Sequence, residues 1–253
     1  MIKHLFMAKL DDKQIISEKN AEKYKAIAET LGFSVNNIIY AHQKHTDNIL
    51  VCDKKFIVGT PYMASGNAAI PSGNGHDISC PYVIPDDFIY DAMITDIPGV
   101  LLSVRTADCV PVLFWDEEHN AVGAAHCGWR GTLNKLQIKT ALKMRELYGT
   151  NLQDLKIAIG PCISKCCYEV SADFYGNFVN TLGESVRIYF EEKENQKYMC
   201  DLKGINKMLL SEFADENNIE ISRHCTCCEE ELFFSHRRQG ENRGTHASFI
   251  GVL

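Results

Sequence analysis

The spacing of apolar and polar residues along the chain predicts a mixture of helices and strands. Residues 17–31 are the first periodic segment, and their apolar side chains recur at helical spacing: Ala21, Tyr24, Ile27, Ala28 and Leu31. We expect an amphipathic helix here, capped by Ser17 and ended by Gly32. Residues 37–45 begin with β-branched and aromatic side chains and then become polar, which predicts a strand whose end carries histidines.

Short apolar runs and longer amphipathic segments alternate through the rest of the chain. Apolar or β-branched runs predict strands at residues 100–106, 111–116, 121–125, 155–160, 231–238 and 246–253. Helical spacing predicts helices at residues 131–149, 170–183 and 201–219. Because the order is not a strict strand–helix–strand repeat, the predicted class is α+β. We expect a mixed β-sheet core flanked by helices, in a single domain over residues 1–253.

Residues 59–87 interrupt this alternation. Glycine, proline, asparagine, serine and aspartate are concentrated in this segment, which favours an irregular loop excursion over another core element. Loops of this length often have a function of their own, for example as lids. The apolar runs on either side of this segment have the pattern of strands in one sheet system. We therefore do not interpret the segment as a linker between domains.

Composition narrows the class of protein. The 253 residues include 26 basic and 33 acidic residues, a formal charge of −7, which argues against a broad nucleic-acid or anionic membrane surface. No segment approaches the roughly 18 consecutive apolar residues that span a bilayer, and the N-terminal residues lack the apolar core of a signal peptide. We therefore expect a cytoplasmic protein with small-molecule ligands, no nucleic acid and no membrane, and leave its oligomeric state open.

The chain has eleven cysteines, and their arrangement does not suggest a disulfide framework. Six of them lie in two short segments: Cys162, Cys166, Cys167, Cys225, Cys227 and Cys228. Four of these thiols could form an all-thiolate structural zinc site. However, their spacings do not form paired CxxC ladders, and adjacent side chains on one strand point to opposite faces. We interpret most of these cysteines as reduced bystanders.

Residues 121–132 hold the densest group of candidate functional side chains. A strand of small residues leads to His126, Cys127 and Arg130, with glycines on both sides of the Trp-Arg pair. The glycines permit a tight turn, and the helix start beyond them, with Arg130, suits a small anion such as phosphate. The alternative is a turn that only packs a corner, but these side chains are costly to bury for packing alone.

Two other predicted strand ends supply metal-ligating residues, Cys109 and His45. Taken singly, Cys109 fits a small buried side chain and His45 a surface residue. Together with His126 they offer two imidazoles and one thiolate, which would leave the fourth position of a tetrahedral zinc open, as in catalytic sites. Zinc in such a site lowers the pKa of water and acts as a Lewis acid. Copper is also compatible with these ligands.

Five motifs follow one another in residues 38–253: HQKHTD, SVRTADCVPVL, AAHCGWRGT, IGPCISKCCYEV and FFSHRR. Together they resemble the laccase-domain family, long called polyphenol oxidases or multicopper-oxidase-type laccases and now regarded largely as purine nucleoside phosphorylases. The resemblance implies a zinc ion bound by His45, Cys109 and His126. It also implies phosphorolysis of adenosine, inosine or guanosine to base and ribose 1-phosphate, with adenosine deamination and methylthioadenosine phosphorolysis as companion activities.

The resemblance also suggests roles for charged residues near these motifs. The predicted catalytic residues are Cys109, His126, Asp108 and Arg130. The predicted substrate- and phosphate-binding residues are Arg130, Arg237, Arg238 and Lys44. Asp108 would orient a ligand or the nucleoside, and the arginines would hold phosphate.

Three other classes of function stay open at the level of sequence. A copper-dependent polyphenol oxidase is one, although the nine histidines include no His-x-His pair for several coupled coppers. A second is a cysteine hydrolase or amidase acting on peptidoglycan precursors, with Cys109 or Cys127 as nucleophile and His126 as base. The third is a noncatalytic binding module.

Overall fold

Short strands and helices alternate along the chain, and the computed structural model describes them for residues 1–10, 18–53, 82–83 and 89–253. In chain order, the elements are β1 (Ile2–Leu10), α1 (Glu18–Leu31), β2 (Ile38–Tyr40), β3 (Ile49–Val51), β4 (Tyr82–Val83), β5 (Ala92–Thr95), β6 (Leu101–Thr106), β7 (Val110–Asp116), β8 (Ala121–Cys127), α2 (Trp129–Leu133), α3 (Leu136–Tyr148), β9 (Lys156–Ile159), β10 (Glu169–Ser171), α4 (Ala172–Leu182), β11 (Phe190–Lys193), β12 (Lys197–Cys200), α5 (Leu202–Ser211), β13 (Ile219–Ile221), α6 (His236–Gln239) and β14 (Thr245–Val252).

Two larger sheets pack face to face. Among the described residues, the first has the strand order β1-β14-β6-β2-β4 and the second β13-β9-β7-β8-β5-β3. The side chains between them are buried and apolar, and include Met93, Leu102, Val104, Leu113, Val122, Ala124 and Ile250. Strands that are covered on both faces have near-continuous apolar sequences, which explains why β6, β7 and β8 stand out in the sequence.

Helices cover the outer face of each large sheet. On the first sheet, Tyr24 of α1 packs edge-on against Phe249 of β14. The second sheet is covered by α3, α4 and α5 through buried apolar side chains that include Leu136, Met144, Phe178, Ile205 and Leu209. A small sheet of β10, β12 and β11 lies beside α4. The predicted class, a mixed β-sheet core flanked by helices, is confirmed.

Most predicted core elements are confirmed, but two predicted helices are shorter. The strands predicted at residues 100–106, 111–116, 121–125, 155–160 and 246–253 correspond to β6, β7, β8, β9 and β14. The helix predicted at residues 131–149 is interrupted, because Lys135 adopts a left-handed conformation with φ of 58° and separates α2 from α3. The helix predicted at residues 201–219 ends at Ser211, and Asp215 caps a separate turn beyond it.

The strand predicted at residues 231–238 is wrong, since the segment ends in α6. Ser235 Oγ accepts the N–H of Arg238 at 3.2 Å, and Asp108 Oδ2 accepts the N–H of Arg237 at 2.7 Å. These acceptors satisfy N–H groups that a helix leaves without partners in its first turn. A local cap from Ser235 and a contact from the distant Asp108 therefore override the apolar pattern of this segment.

Two predictions fall largely outside the described residues. Of the excursion predicted at residues 59–87, only Tyr82 and Val83 are described, and they form β4, which pairs in parallel with β2. Ser17, the predicted cap of α1, is not among the described residues either. Within the part of the chain that the structure describes, no helix has the length and apolar character needed to cross a membrane.

Candidate functional site

Three chain segments converge at one edge of the packed sheets. His45 follows β2, Cys109 lies in the connection from β6 to β7, and His126 lies near the end of β8. The metal-ligating atoms of these three residues all lie within 4.8 Å of one another. The structure therefore brings together the three residues that the sequence analysis predicted as metal ligands, and we call them the His45–Cys109–His126 group.

The distances within this group suit a single metal ion. Zinc bonds of about 2.0–2.1 Å to nitrogen and about 2.3 Å to sulfur, at tetrahedral angles, place the two ligand atoms about 3.5 Å apart. Cys109 Sγ lies 3.6 Å from His45 Nε2. His126 Nδ1 is 2.8 Å from a carboxylate oxygen of Asp91, which leaves Nε2 of that ring for a metal. Two imidazoles and a thiol at this spacing fit zinc.

The charges in this group favour the thiolate form of Cys109. Burial alone would raise the pKa of the Cys109 thiol, but the neighbouring His126 and His45 lower it overall. Burial opposes the charged form of His126 too, yet Cys109 and Asp91 raise the pKa of this imidazole. The thiolate is the form of cysteine that binds metals and attacks electrophiles.

Asp91 is a functional residue that the sequence analysis missed. Its side chain is buried, and Oδ1 accepts from His126 Nδ1 at 2.8 Å and from the N–H of His45 at 3.1 Å. Oδ2 accepts from the N–H and the hydroxyl of Thr46 at 2.6 and 2.7 Å. Burial raises the pKa of Asp91, but the bonds from His126 and Thr46 bring it down to about 2. One ionised carboxylate therefore orients two of the three candidate ligands.

The contacts of Asp91 also explain the backbone of His45. This residue has φ of 60°, a left-handed conformation that is uncommon outside glycine. The N–H groups of Lys44, His45 and Thr46 all point at the Asp91 carboxylate, at 3.2, 3.1 and 2.6 Å. These three bonds offset the cost of the left-handed turn and hold the imidazole beside Cys109.

Asp108, predicted as catalytic, is engaged by protein groups. It adopts φ of 81°, and its Oδ1 accepts from the hydroxyl of Thr226 at 2.7 Å. Its Oδ2 accepts from the hydroxyl of Ser235 at 2.9 Å and from the N–H of Arg237 at 2.7 Å. These contacts favour a positioning role for Asp108, which ties the chain around Cys109 to the start of α6.

Two neighbouring cavities meet at the metal-ligating group, and His45 and Cys109 line both. One has a volume of about 350 Å³ and the other about 450 Å³, which is the size of small-molecule sites. The smaller cavity is also lined by Lys44, Arg105 and His126. The larger cavity is also lined by Trp129, Arg130, Tyr168, His236 and Arg237. Arg243, which the sequence analysis did not single out, lines both cavities.

Of the three arginines predicted to bind phosphate, two line the larger cavity and one lines neither cavity. The guanidinium of Arg130 lies 4.2 Å from the ring centroid of Trp129, and that of Arg237 lies 5.4 Å from the ring centroid of Tyr168. Both line the larger cavity. Arg238 lines neither cavity, and its guanidinium donates to the carbonyl oxygens of three residues: Thr226, Cys227 and Phe233. The structure thus brings Arg130 and Arg237 to the site, but not Arg238.

Cys127 differs from Cys109 although both lie at strand ends. Its side chain is buried, and its S–H points at Gln137 Oε1 over 3.9 Å. Burial raises the pKa of the Cys127 thiol, so the thiolate needed for nucleophilic attack is disfavoured. Of the two thiols considered as nucleophiles, only Cys109 has the surroundings for that role.

Gly128 offers a test of the candidate metal site that leaves the three candidate ligands themselves unchanged. A Cβ at this position would lie 2.7 Å from His45 Cδ2 and 3.0 Å from Cys109 Sγ, while the backbone φ of −63° is open to any residue. We expect Gly128→Ala to displace these side chains and weaken zinc binding by about tenfold or more, since misplaced ligands cost about 10- to 100-fold in metal affinity.

The matched control is Gly176→Ala, because a Cβ there has nothing within 4 Å. Zinc affinity is measured by competition with a chromophoric chelator. Equal affinities for Gly128→Ala and the unchanged protein would mean that the ion is not held where His45 and Cys109 meet.

A family model matches nearly the whole chain, and individual relatives match 64% of it. A model of the family described as multi-copper polyphenol oxidoreductase laccase matches residues 7–253. A purine nucleoside phosphorylase of Bacteroides thetaiotaomicron is 39% identical over 163 residues, which are 64% of this chain and 60% of that protein. Purine nucleoside phosphorylase YlmD of Geobacillus stearothermophilus is 37% identical over 162 residues, 64% of this chain and 59% of that protein. The matched region spans about 60% of these curated relatives.

Solved structures match over the full fold. The crystal structure of the Bacillus licheniformis hypothetical protein YfiH has a TM-score of 0.82 and 27% identity, covering 100% of this chain and 93% of that one. The crystal structure of YlmD from Geobacillus stearothermophilus has a TM-score of 0.77 and 27% identity, covering 99% and 90%. The resemblance carried by the five sequence motifs is thereby confirmed, and the chain belongs to the family described as multi-copper polyphenol oxidoreductase laccase.

Proposed function

We propose that this chain is a zinc-dependent purine nucleoside phosphorylase, which converts adenosine, inosine or guanosine and phosphate to free base and ribose 1-phosphate. The observation that carries the proposal is the His45–Cys109–His126 group where two cavities meet, the larger of which also presents three arginines and the aromatic rings of Trp129 and Tyr168. Relatives named purine nucleoside phosphorylase support the same class of reaction. Adenosine deamination and methylthioadenosine phosphorolysis belong to the proposal as companion activities of the same nucleoside site.

The reaction sets three requirements for the protein. A phosphate oxygen forms a bond to C1′ of the ribose while the bond from C1′ to the purine nitrogen breaks. The purine leaves with the bonding electrons and takes up a proton. The site must therefore hold a phosphate dianion, present an aromatic surface to the base and stabilise the charge that develops as the bond breaks.

Arg130 and Arg237 are the proposed phosphate ligands. Stacking on Trp129 restrains the Arg130 guanidinium, and two nitrogens of Arg237 donate to the carbonyl oxygen of Glu169 at 3.0 Å. A guanidinium held in this way binds phosphate with less loss of side-chain entropy than a mobile one. Lys44, on the smaller cavity, adds a further cation near the group.

Tyr168 is the proposed contact for the base. Its ring lines the larger cavity, and burial raises the pKa of the phenol, which keeps the hydroxyl protonated. A neutral tyrosine offers an aromatic face for stacking and a hydroxyl that donates to a purine nitrogen.

Zinc held by His45, Cys109 and His126 would supply a Lewis acid at the junction of the two cavities. The protein's part is to orient that ligand set. Asp91 fixes the tautomer and the direction of the His126 ring and holds the turn that carries His45. Asp108, the residue before Cys109, accepts a hydrogen bond from the N–H of Arg237. This bond connects the start of α6, which carries a proposed phosphate ligand, to the chain beside Cys109.

The central experiment incubates the zinc-loaded protein with adenosine, with and without phosphate, and follows adenine, inosine and hypoxanthine by chromatography. Phosphate-dependent release of adenine supports the proposal. Formation of inosine without phosphate reports the companion deaminase activity. Absence of turnover with adenosine, inosine and guanosine in the presence of phosphate and zinc would refute the proposal.

Arg130 gives a specific test of phosphate binding. We expect Arg130→Met to raise the KM for phosphate about tenfold or more, because a charge-assisted hydrogen bond contributes about 1.5–3 kcal/mol. The matched control is Arg145→Met, which removes an exposed arginine from α3 that lines neither cavity. Steady-state rates at varied phosphate provide the measurement, and an unchanged phosphate KM would remove Arg130 from the proposed phosphate site.

The contact between Cys109 and His126 supports a second candidate function, a cysteine hydrolase or amidase acting on peptidoglycan precursors. The lowered pKa of Cys109 is the property that a thiol nucleophile needs. Treatment with EDTA and with iodoacetamide separates the candidates, because a thiol hydrolase survives chelation and loses activity on alkylation. Metal analysis of protein purified without added copper tests the copper-dependent oxidase in the same preparation.

A further inference from the structure

A second group of four thiols lies away from the His45–Cys109–His126 group. It consists of Cys166 and Cys167, in the turn before β10, and Cys225 and Cys228, in the turn after β13. Their sulfur atoms all lie within 4.8 Å of one another. We call these residues the four-cysteine group. From the sequence, a four-thiolate site among six cysteines was possible but disfavoured, so the convergence of these four is a finding of the structure.

The sulfur–sulfur distances fit one tetrahedral ion. Four thiolates around zinc, with bonds of about 2.3 Å, have neighbouring sulfurs about 3.8 Å apart. Cys166 Sγ lies 3.8 Å from Cys167 Sγ, 3.8 Å from Cys225 Sγ and 3.4 Å from Cys228 Sγ. Cys167 Sγ lies 3.3 Å from Cys228 Sγ. These values also exceed the roughly 2.05 Å of a disulfide, so all four are free thiols.

The objection to adjacent cysteines as ligands of one ion does not apply to this backbone. Cys166 and Cys167 lie in a turn, where neighbouring side chains need not point to opposite faces as they do on a strand. The second pair, Cys225 and Cys228, has the CxxC spacing that is common in zinc sites. One pair comes from each turn, as in a site that joins two loops.

Hydrogen bonds connect the four-cysteine group to Ser164 and, through Ser164, to a buried lysine. The N–H of Ser164 donates to Cys225 Sγ at 3.3 Å, a contact that stabilises a thiolate. The same residue's Oγ lies 3.5 Å from Nζ of the buried Lys203. Lys203 Nζ otherwise donates to the carbonyl oxygens of Ser222 and His224 at 2.7 and 2.9 Å. The buried ammonium group of Lys203 is thus connected to the sulfur of Cys225 through Ser164.

We propose that Cys166, Cys167, Cys225 and Cys228 bind one zinc ion in an all-thiolate structural site. Each thiol releases its proton to the solvent, and each sulfur donates a lone pair to the ion, with no change of oxidation state. Because all four positions of the ion are filled by protein, the site has no open position for a substrate.

The proposed zinc site would hold together two turns that contact residues lining the larger cavity. The turn with Cys166 and Cys167 is followed by Tyr168, which lines that cavity, and the carbonyl oxygen of Cys167 accepts from Arg237 Nη1 at 3.4 Å. In the other turn, Thr226 donates to Asp108. Loss of this ion would therefore loosen the wall that holds Tyr168 and Arg237 without removing a ligand of the other metal group.

The test is a zinc count on protein purified under reducing conditions, by plasma mass spectrometry. We expect one zinc ion at each group in the unchanged protein. We expect Cys228→Ser to lose the ion of the four-cysteine group and keep the ion of the His45–Cys109–His126 group. We expect Cys109→Ala to do the reverse. Cys228→His, which retains a zinc-ligating side chain, keeps both ions. Cys227→Ser, in the same turn but outside the four-cysteine group, is the matched control and keeps both ions.

Cobalt substitution of the unchanged protein gives a second measurement that does not depend on the folding of a variant. A cobalt ion bound by four thiolates shows intense sulfur-to-cobalt charge-transfer absorption. A cobalt ion bound by two imidazoles and one thiolate absorbs more weakly in this band. A single zinc ion per chain that Cys109→Ala removes, iron in place of zinc, or a disulfide among the four cysteines in freshly reduced protein would overturn the proposal. An active enzyme whose single ion is removed by Cys109→Ala would refute the four-cysteine site alone. An inactive protein with an ion at each group would refute only the proposed function.

Discussion

Replacement of Cys109 by alanine is expected to remove the ion from the His45–Cys109–His126 group and to lower kcat/KM for adenosine phosphorolysis by about 10³-fold. The estimate follows from the several kcal/mol of transition-state stabilisation that a metal ion supplies, at about 1.4 kcal/mol for each factor of ten. Cys109 is the one proposed ligand of the group that can be anionic, and its sulfur lies 3.6 Å from His45 Nε2. Its loss leaves two neutral imidazoles, which hold zinc weakly.

A second substitution at the same position separates a ligand from a nucleophile. Cys109→Asp replaces the thiolate with another anionic zinc ligand but removes the sulfur nucleophile. If Cys109 acts only as a ligand, the aspartate variant retains more zinc and more activity than the alanine variant. If Cys109 attacks the substrate, both variants lose activity equally. Zinc content and steady-state rates on the same preparations provide the comparison.

Cys127→Ala is the matched control for these variants. Cys127 is also a thiol at the end of a strand, but it is buried and lies outside the metal-ligating group. We expect it to keep both zinc content and phosphorolysis, with only the loss of stability that follows from a small cavity. Full activity of Cys109→Ala would contradict both the metal assignment and the proposed mechanism.

The central strands and the strand-end positions of Cys109 and His126 were predictable because their signals are local. The strands β6, β7 and β8 are buried on both faces, so their sequences are mostly apolar, and the polar residues at their ends stand out. His126 and Cys109 lie at two such ends. His45 was predictable only as a member of the set, because its left-handed backbone depends on a residue elsewhere in the chain.

The missed features depend on contacts between distant segments. Asp91 precedes the short strand β5 and lies 35 residues from His126, so no local spacing connects the two. The apolar pattern of residues 231–238 predicted a strand, but hydrogen bonds to Asp108 and Ser235 favour a helix. A four-thiolate site was considered from the sequence but set aside, because the contact that brings its cysteines together is also between distant segments. Its two pairs are close only because the bridge from Cys162 to Cys225 brings their loops together.

Asp91→Asn tests whether this buried carboxylate controls metal affinity. The amide has the same shape as the carboxylate, but it presents an N–H₂ group to donors that need an acceptor, either His126 Nδ1–H or the Thr46 N–H and hydroxyl. In one rotamer His126 Nδ1–H and the N–H of His45 lose their acceptor, and in the other the N–H groups of Lys44 and Thr46, in the turn that carries His45, lose theirs. We expect zinc affinity at the His45–Cys109–His126 group to fall about 10- to 100-fold, as for other partners of metal-bound histidines.

A matched control distinguishes this effect from a general loss of stability. Asp116 is also buried and accepts from a histidine, His119 Nδ1, at 2.8 Å, but it lies at the far end of β7 from the metal-ligating group. Asp116→Asn removes a similar contact and is expected to lower the melting temperature without changing zinc affinity. Chelator competition at a temperature where both variants are folded gives the comparison. If Asp91→Asn and Asp116→Asn bind zinc equally well, Asp91 supports only the fold, and the orientation of His45 and His126 must come from the metal itself.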